Sequence, residues 1–215
     1  MIQKIKEKDK TSLRKAGLIL LVTLLLASLL LASCGTKKDP QPPATDPPTA
    51  SGSQDPKPSQ DERVKAYDFS LTDQYGVSHS PEDYLGKVIF INFWATWCPP
   101  CRAELPDIES LYRDHNLNRG DLIVIGIANP DESGSGGSQR EKDTEGIKEF
   151  LLENGITFPV LMDPTGEVFQ KYWISGLPTT YLIDHEGYII GYVPGAMSRA
   201  VMDHHIGSAL EAMGH

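Results

Sequence analysis

Cysteine is scarce in this chain: three in 215 residues, at Cys34, Cys98 and Cys101. That excludes a scaffold held by several disulfides and a four-cysteine zinc centre, so the fold has to stand on its own core. Basic residues are in deficit too. Twenty Lys and Arg face 29 Asp and Glu, a net charge of −9, which argues against nucleic acid as the partner of the whole chain. Residues 35–62 contain no Val, Ile, Leu, Met, Phe, Trp or Tyr, and seven of these 28 positions are Pro. Such a stretch cannot bury apolar surface and reads as a disordered tether. Its reach lies between about 30 Å as a flexible coil and about 85 Å as an extended proline-type chain. The rest is globular in composition, enough for one domain.

The chain opens on a basic segment, Lys4, Lys6, Lys8, Lys10, Arg14 and Lys15. Residues 16–31 then have Thr23 and Ser28 as their only polar side chains. A basic start, a short apolar run and small residues read as an export signal. The run is 16 residues long, shorter than the roughly 20 that a spanning helix needs. It ends in Leu31-Ala32-Ser33-Cys34, which resembles the lipobox of bacterial lipoproteins. That resemblance implies cleavage before Cys34 and lipid on its sulfur. Residues 1–33 are therefore read as signal peptide, 34–62 as lipidated tether and 63–215 as the working domain. This places the domain outside the cytoplasm, anchored to the cell membrane. Without residues 1–33, which hold six bases and two acids, 14 bases face 27 acids, a balance of −13.

Within residues 63–215 the pattern alternates. Residues 66–71, turned through Asp73-Gln74-Tyr75-Gly76, predict a short hairpin, and residues 81–85 a single helical turn. Residues 88–93 and 122–128 are near-continuous apolar runs, the mark of strands buried on both faces. Residues 99–115, 144–154, 166–172 and 198–213 read as helices, and residues 131–144, with Ser or Gly at every position of 133–137, as a surface loop. A short strand at 160–162 and a hairpin of 180–183 with 188–193 complete a three-layer α/β domain.

The chemistry concentrates in Trp97-Cys98-Pro99-Pro100-Cys101, directly after the first buried strand and at the start of the first long helix. A cysteine at a helix N-terminus meets unpaired backbone N–H groups and the positive end of the macrodipole, which favour its thiolate. Two prolines fit the first turn, where a missing N–H costs little. Cys98 is thus the attacking sulfur, and Cys101, one turn deeper, the resolving one. Pro106 falls inside the helix and should kink it, a structural and not a catalytic feature. Adjacent His204 and His205 lack a third ligand, so no metal is expected, and no cofactor.

The segment Asn92-Phe93-Trp94-Ala95-Thr96-Trp97-Cys98-Pro99-Pro100-Cys101-Arg102 resembles the active-site segment of the thioredoxin superfamily. It is most similar to the membrane-tethered TlpA/ResA-like thiol-disulfide oxidoreductases. The resemblance extends to Gly176-Leu177-Pro178-Thr179-Thr180, which matches the segment holding that family's cis-proline, and to Val193-Pro194-Gly195-Ala196-Met197-Ser198, with Pro194 as an insertion. It implies a thioredoxin-like α/β/α fold with a central mixed sheet and an N-terminal β-hairpin extension. It also implies that Pro178 is cis, which would set the Leu177 backbone beside Cys98 for an extended substrate. Trp97 is taken as a substrate contact with it, the alternative being that Trp97, like Trp94, packs around the disulfide. Glu104, six residues after Cys98, matches the glutamate of ResA-like proteins and would tune thiol ionisation or relay a proton; the alternative is a solvated surface glutamate. Asn92 stands where thioredoxin has a buried aspartate.

By the same resemblance the domain reduces disulfides in exported proteins as a monomer, recharged by a membrane electron carrier of the CcdA type. An oxidase donating its disulfide is the alternative. A thiol peroxidase would need Pro and Thr or Ser at the positions held by Ile91 and Ala95. A catalytically idle binding module would not need both cysteines and Pro178.

Overall fold

The computed structural model describes residues 63–133 and 140–214. The expected signal segment and tether, residues 1–62, and most of the Ser/Gly run lie outside the described residues. The elements, in chain order, are β1 (Leu71–Asp73), β2 (Ser78–His79), a 3-10 turn (Pro81–Tyr84), β3 (Val88–Phe93) and α1 (Pro99–Asp114). There follow β4 (Leu122–Ala128), α2 (Thr144–Glu153), β5 (Val160–Met162), α3 (Glu167–Lys171), β6 (Thr179–Ile183), β7 (Ile189–Pro194) and α4 (Arg199–Glu211).

One mixed sheet runs in the order β2-β1-β5-β4-β3-β6-β7. Strands β3, β4 and β5 are parallel neighbours, while β6 and β7 add antiparallel on one side and β1 and β2 on the other. Every residue of β3 and β4 is buried, as their unbroken apolar runs require. The crossovers β3–α1–β4 and β4–α2–β5 step in the same direction across the sheet, so right-handed connections put both helices on one face. There α1, α2 and α4 pack on alternate strand residues such as Phe90, Val124 and Val160. The other face is thinner. Ile91, Phe93, Ile125 and Tyr181 are covered by Val168 of α3, by Tyr172 and by Ala66 and Phe69 of the N-terminal segment.

The N-terminal hairpin lies later than residues 66–71 predicted. Residues 66–70 form no strand of it; instead Ala66 and Phe69 serve as core side chains, and the strands are β1 and β2. Asp73 decides this. Its Oδ1 accepts the N–H groups of Tyr75 and Val77, both at 2.9 Å, which fixes the turn at 73–77. Its Oδ2 faces His79 Nε2 at 3.0 Å, and His79 Nδ1 meets the Tyr84 hydroxyl. The other predicted elements are found within one or two residues of their expected ends. Pro106 lies inside α1, which continues to Asp114.

Gly126 of β4 pairs with Asn92 of β3, beside the site described next. A Cβ there would meet Phe158 Cε2 and Trp94 Nε1 at 3.1 Å and Val160 Cγ2 at 3.2 Å. All three neighbours are fully buried and have no room to retreat. Gly126→Ala is therefore expected to lower the unfolding free energy by about 1–3 kcal/mol, the usual cost of overpacking, as measured by urea titration.

Candidate active site

Strand β3 delivers the chain to the site. Trp94 N–H extends the ladder to Ile127 C=O at 3.2 Å, and a turn over residues 95–98 closes with Cys98 N–H donating to Ala95 C=O at 3.3 Å. Cys98 is the N-cap of α1, with Pro99 and Pro100 filling the first helical positions. Neither proline has an N–H. The first donor of the helix that is free to turn outward is thus that of Cys101, and it points at Cys98 Sγ, 3.3 Å away. The same N–H and the helix N-terminus stabilise negative charge on Cys98 once the bond is open. In the structure the two sulfurs are joined, with Cα atoms 5.3 Å apart. Cys98 and Cys101 are both buried, at 3% and 1% exposure, so position on the helix distinguishes them better than accessibility does.

The tryptophans divide. Trp94 is fully buried and packs on Phe150, whereas Trp97 is 41% exposed and stands over an open cleft. This cleft encloses about 600 Å³, and its walls include Trp94, Ala95 and Trp97 together with Ile174, Gly176 and Leu177. Trp97 and Leu177, both singled out in the sequence, are thereby brought to one site. The Leu177–Pro178 peptide is cis and Pro178 is buried. Gly195 N–H donates to Pro178 C=O at 2.9 Å, which ties this segment to the end of β7. Among the described residues nothing pairs with the N–H or C=O of Leu177. Arg102 is exposed, with its guanidinium 5.7 Å from the Phe150 ring centre.

Glu104 is not on the surface. It is 2% exposed, on the inner face of α1 one turn beyond Cys101. Its Oε1 accepts Met197 N–H at 2.8 Å and its Oε2 the Asn92 amide at 3.3 Å; that amide also donates to Thr180 Oγ1 at 3.0 Å. Burial raises the Glu104 pKa above the ordinary carboxyl value, against the downward pull of the Met197 and Asn92 donors. Among the described residues Asn92 Oδ1 has no partner. Asn92 is therefore the partner of Glu104, and not merely an absent aspartate. A second carboxylate was missed by the sequence reading. Glu141 accepts the Thr96 N–H at 2.7 Å and also meets the Thr96 hydroxyl. It follows the Ser/Gly run with nothing local to mark it. Among the described residues no cluster of three His, Cys, Asp or Glu side chains is placed to hold a metal ion. Cys34 lies outside the described residues.

A buried acid with a raised pKa is favoured by folding in its neutral form. Its contribution is present below the unfolded carboxyl pKa and lost as pH rises through the folded value. Glu104→Gln keeps an acceptor for Met197, and its amide donor is met if the Asn92 amide turns over to present Oδ1 in place of Nδ2. Its melting temperature relative to the parent should therefore climb between pH 4 and pH 8. A constant offset across that range would show that Glu104 does not ionise in place.

Residues 63–191 match the model of the AhpC/TSA family. The chain is 33% identical over 143 residues to the thiol-disulfide oxidoreductase ResA of Geobacillus kaustophilus, covering 66% of this chain and 75% of that one. Among solved structures it is similar to the exposed lipoprotein thioredoxin Etrx1 of Streptococcus pneumoniae, with TM-score 0.57 and 28% identity over 66% of this chain and 99% of that one. StoA of Bacillus subtilis aligns with TM-score 0.54 and 27% identity over 66% of this chain and 97% of that one. With a disulfide capping a helix, a cis-proline on the facing segment and these relatives, the chain belongs to the AhpC/TSA family and is a thiol-disulfide oxidoreductase of the ResA type.

Proposed function

We propose that this oxidoreductase is a lipid-anchored reductase of disulfides in exported proteins. One observation carries the reading of a polypeptide substrate: the backbone of Leu177, unpaired among the described residues, borders the same open cleft as Ala95 and Trp97 of the turn that Cys98 closes. An extended substrate segment can add there as a short strand, with a side chain against Trp97. The Cys98 thiolate then attacks one sulfur of the substrate disulfide, forming a mixed disulfide and expelling the other sulfur as a thiolate. Cys101, deprotonated, attacks Cys98 Sγ and frees the second substrate thiolate, leaving Cys98–Cys101 oxidised. Two electrons have passed to the substrate, and two must return from a membrane electron carrier, for which a CcdA-type protein is the natural candidate. The buried Glu104 carboxyl, one turn from Cys101, is the group positioned to exchange the proton of that thiol.

The Glu141 carboxylate grips the turn that carries Cys98 through Thr96. Its negative charge disfavours a thiolate relative to the disulfide, the sense of a reductant, while the Glu104 carboxyl, pushed toward its neutral form, adds little to that field. The midpoint potential of the pair against glutathione or dithiothreitol buffers tests the direction. A value near or below about −250 mV, in the thioredoxin range, is expected; one near about −120 mV would mark an oxidase that donates its disulfide. Peroxide reduction is disfavoured, because Ile91 stands where a Pro is needed, Ala95 offers no hydroxyl where Thr or Ser is needed, and the hydroxyl of Thr96 is held by Glu141.

Two further outcomes follow. Cys101→Ser should accumulate a mixed disulfide with an insulin substrate, resolved on a non-reducing gel, while Cys98→Ser should neither trap nor reduce it. Cys34→Ser, expressed with its native N-terminus in a bacterial host, should move the protein out of the membrane fraction, since the lipid is proposed to sit on that sulfur.

A further inference from the structure

The turn that presents Cys98 is held from outside its own segment. Its closing bond, Cys98 N–H to Ala95 C=O, leaves the N–H and hydroxyl of Thr96 without partners inside the turn. Both go to one carboxylate. Thr96 N–H donates to Glu141 Oε2 at 2.7 Å, and its hydroxyl donates to Oε1. Thr96 is 6% exposed, so these charge-assisted bonds are shielded from water on the turn's side.

Glu141 is itself braced. It lies in the connection from β4 to α2, 45 positions beyond Thr96. Its Oε1 also accepts the Lys142 N–H at 2.8 Å, and Asp131 N–H donates to Lys142 C=O at 2.9 Å, pairing the two ends of that connection. The neighbouring Arg140 pairs with Asp131 at 3.4 Å. Trp97, next to the gripped Thr96, is a wall shared by two clefts. One is the cleft toward Leu177; the other, of about 610 Å³, opens toward Arg102, Lys142 and Phe150.

We infer that Glu141 is a positioning residue for the thiol exchange: it locks the 95–98 turn so that Cys98 stays on the N-terminus of α1 and Trp97 keeps its place as the cleft wall. The inference rests on Cys98 as the attacking sulfur. Sulfur exchange needs the incoming sulfur in line with the one that leaves, and a turn free to swing spoils that line. It also carries Cys98 away from the Cys101 N–H that stabilises its thiolate.

The test separates hydrogen bonding from charge. Loss of a nearby negative charge alone lowers a thiol pKa, whereas loss of alignment with the helix N-terminus raises it. Glu141→Gln retains an acceptor for the Thr96 N–H and a donor for its hydroxyl oxygen; Glu141→Ala retains neither. Thr96→Val removes the hydroxyl alone. The pH profile of Cys98 alkylation in the reduced protein, and kcat and KM for insulin reduction, are measured on the purified full chain. Glu141→Ala should shift the alkylation profile to higher pH and lower kcat about tenfold. Thr96→Val should fall between it and the parent, and Glu141→Gln should keep at least half the parental kcat with no upward shift. An alkylation profile of Glu141→Ala that coincides with the parent, whatever its melting temperature, would reduce the contact to a structural one and overturn the inference. So would a Glu141→Gln variant as slow as Glu141→Ala. Cys98→Ser is the control: activity surviving in it sinks the choice of attacking sulfur, whereas an inactive Cys98→Ser beside a parent-like Glu141→Ala sinks the positioning role alone.

Discussion

The start of α1 is where the sheet, the helix and the chemistry meet. Strand β3 is buried on both faces, which fixes where the chain emerges, and Leu105, Ile108 and Leu111 pin the helix to the same core. Between these anchors the chain has one short turn, so the helix N-terminus is set with little freedom. Pro99 and Pro100 then remove two N–H groups that would otherwise compete for the cap. The Cys101 N–H is left to Cys98 Sγ. A reactive sulfur thus sits where helix geometry stabilises its charge, at no cost to the helix itself.

The acidic excess of the chain is not only a surface property. Several carboxylates point inward or along loops and accept backbone N–H groups. Glu109 takes those of Thr157 and Phe158, Asp163 those of Val168 and Phe169, and Asp73 those of Tyr75 and Val77. Glu104 holds Met197 and Glu141 holds Thr96 in the same way. Each joins a loop or helix start to a distant or neighbouring segment, and a charged acceptor makes each bond stronger than a neutral one. The loops that border the cysteine pair are shaped largely by this device.

Two of these acids differ in consequence because their surroundings differ. Glu104 lies in the interior between α1, β3 and the segment before α4, with Asn92 and Met197 as its donors, and burial pushes it toward the neutral acid. Glu141 is only half-buried and faces the turn from its outer side. One is suited to hold a proton near Cys101, the other to hold the geometry near Cys98. Across the cleft, the cis Leu177–Pro178 segment supplies backbone in place of charge, which suits an extended polypeptide of varied sequence.

Strands β3 and β4 and helix α1 were legible in the amino-acid sequence because their signals are local. An unbroken apolar run, a cysteine at a helix start and two prolines after it act within a few residues of one another. The same locality made Cys98 and Cys101 readable as a pair, and resemblance to a known family marked Leu177 and Pro178. The hairpin was misplaced by several residues because the choice lay in which backbone groups the Asp73 side chain would accept, and periodicity does not register that. The burial of Glu104 and its bonds to Asn92 and Met197 depended on α4 and β3 closing over it. The contact of Glu141 with Thr96 joins positions 45 apart across a Gly/Ser-rich connection. Long-range hydrogen bonds of this kind leave no spacing in the sequence, since their partners become neighbours only after the core has placed the segments that carry them.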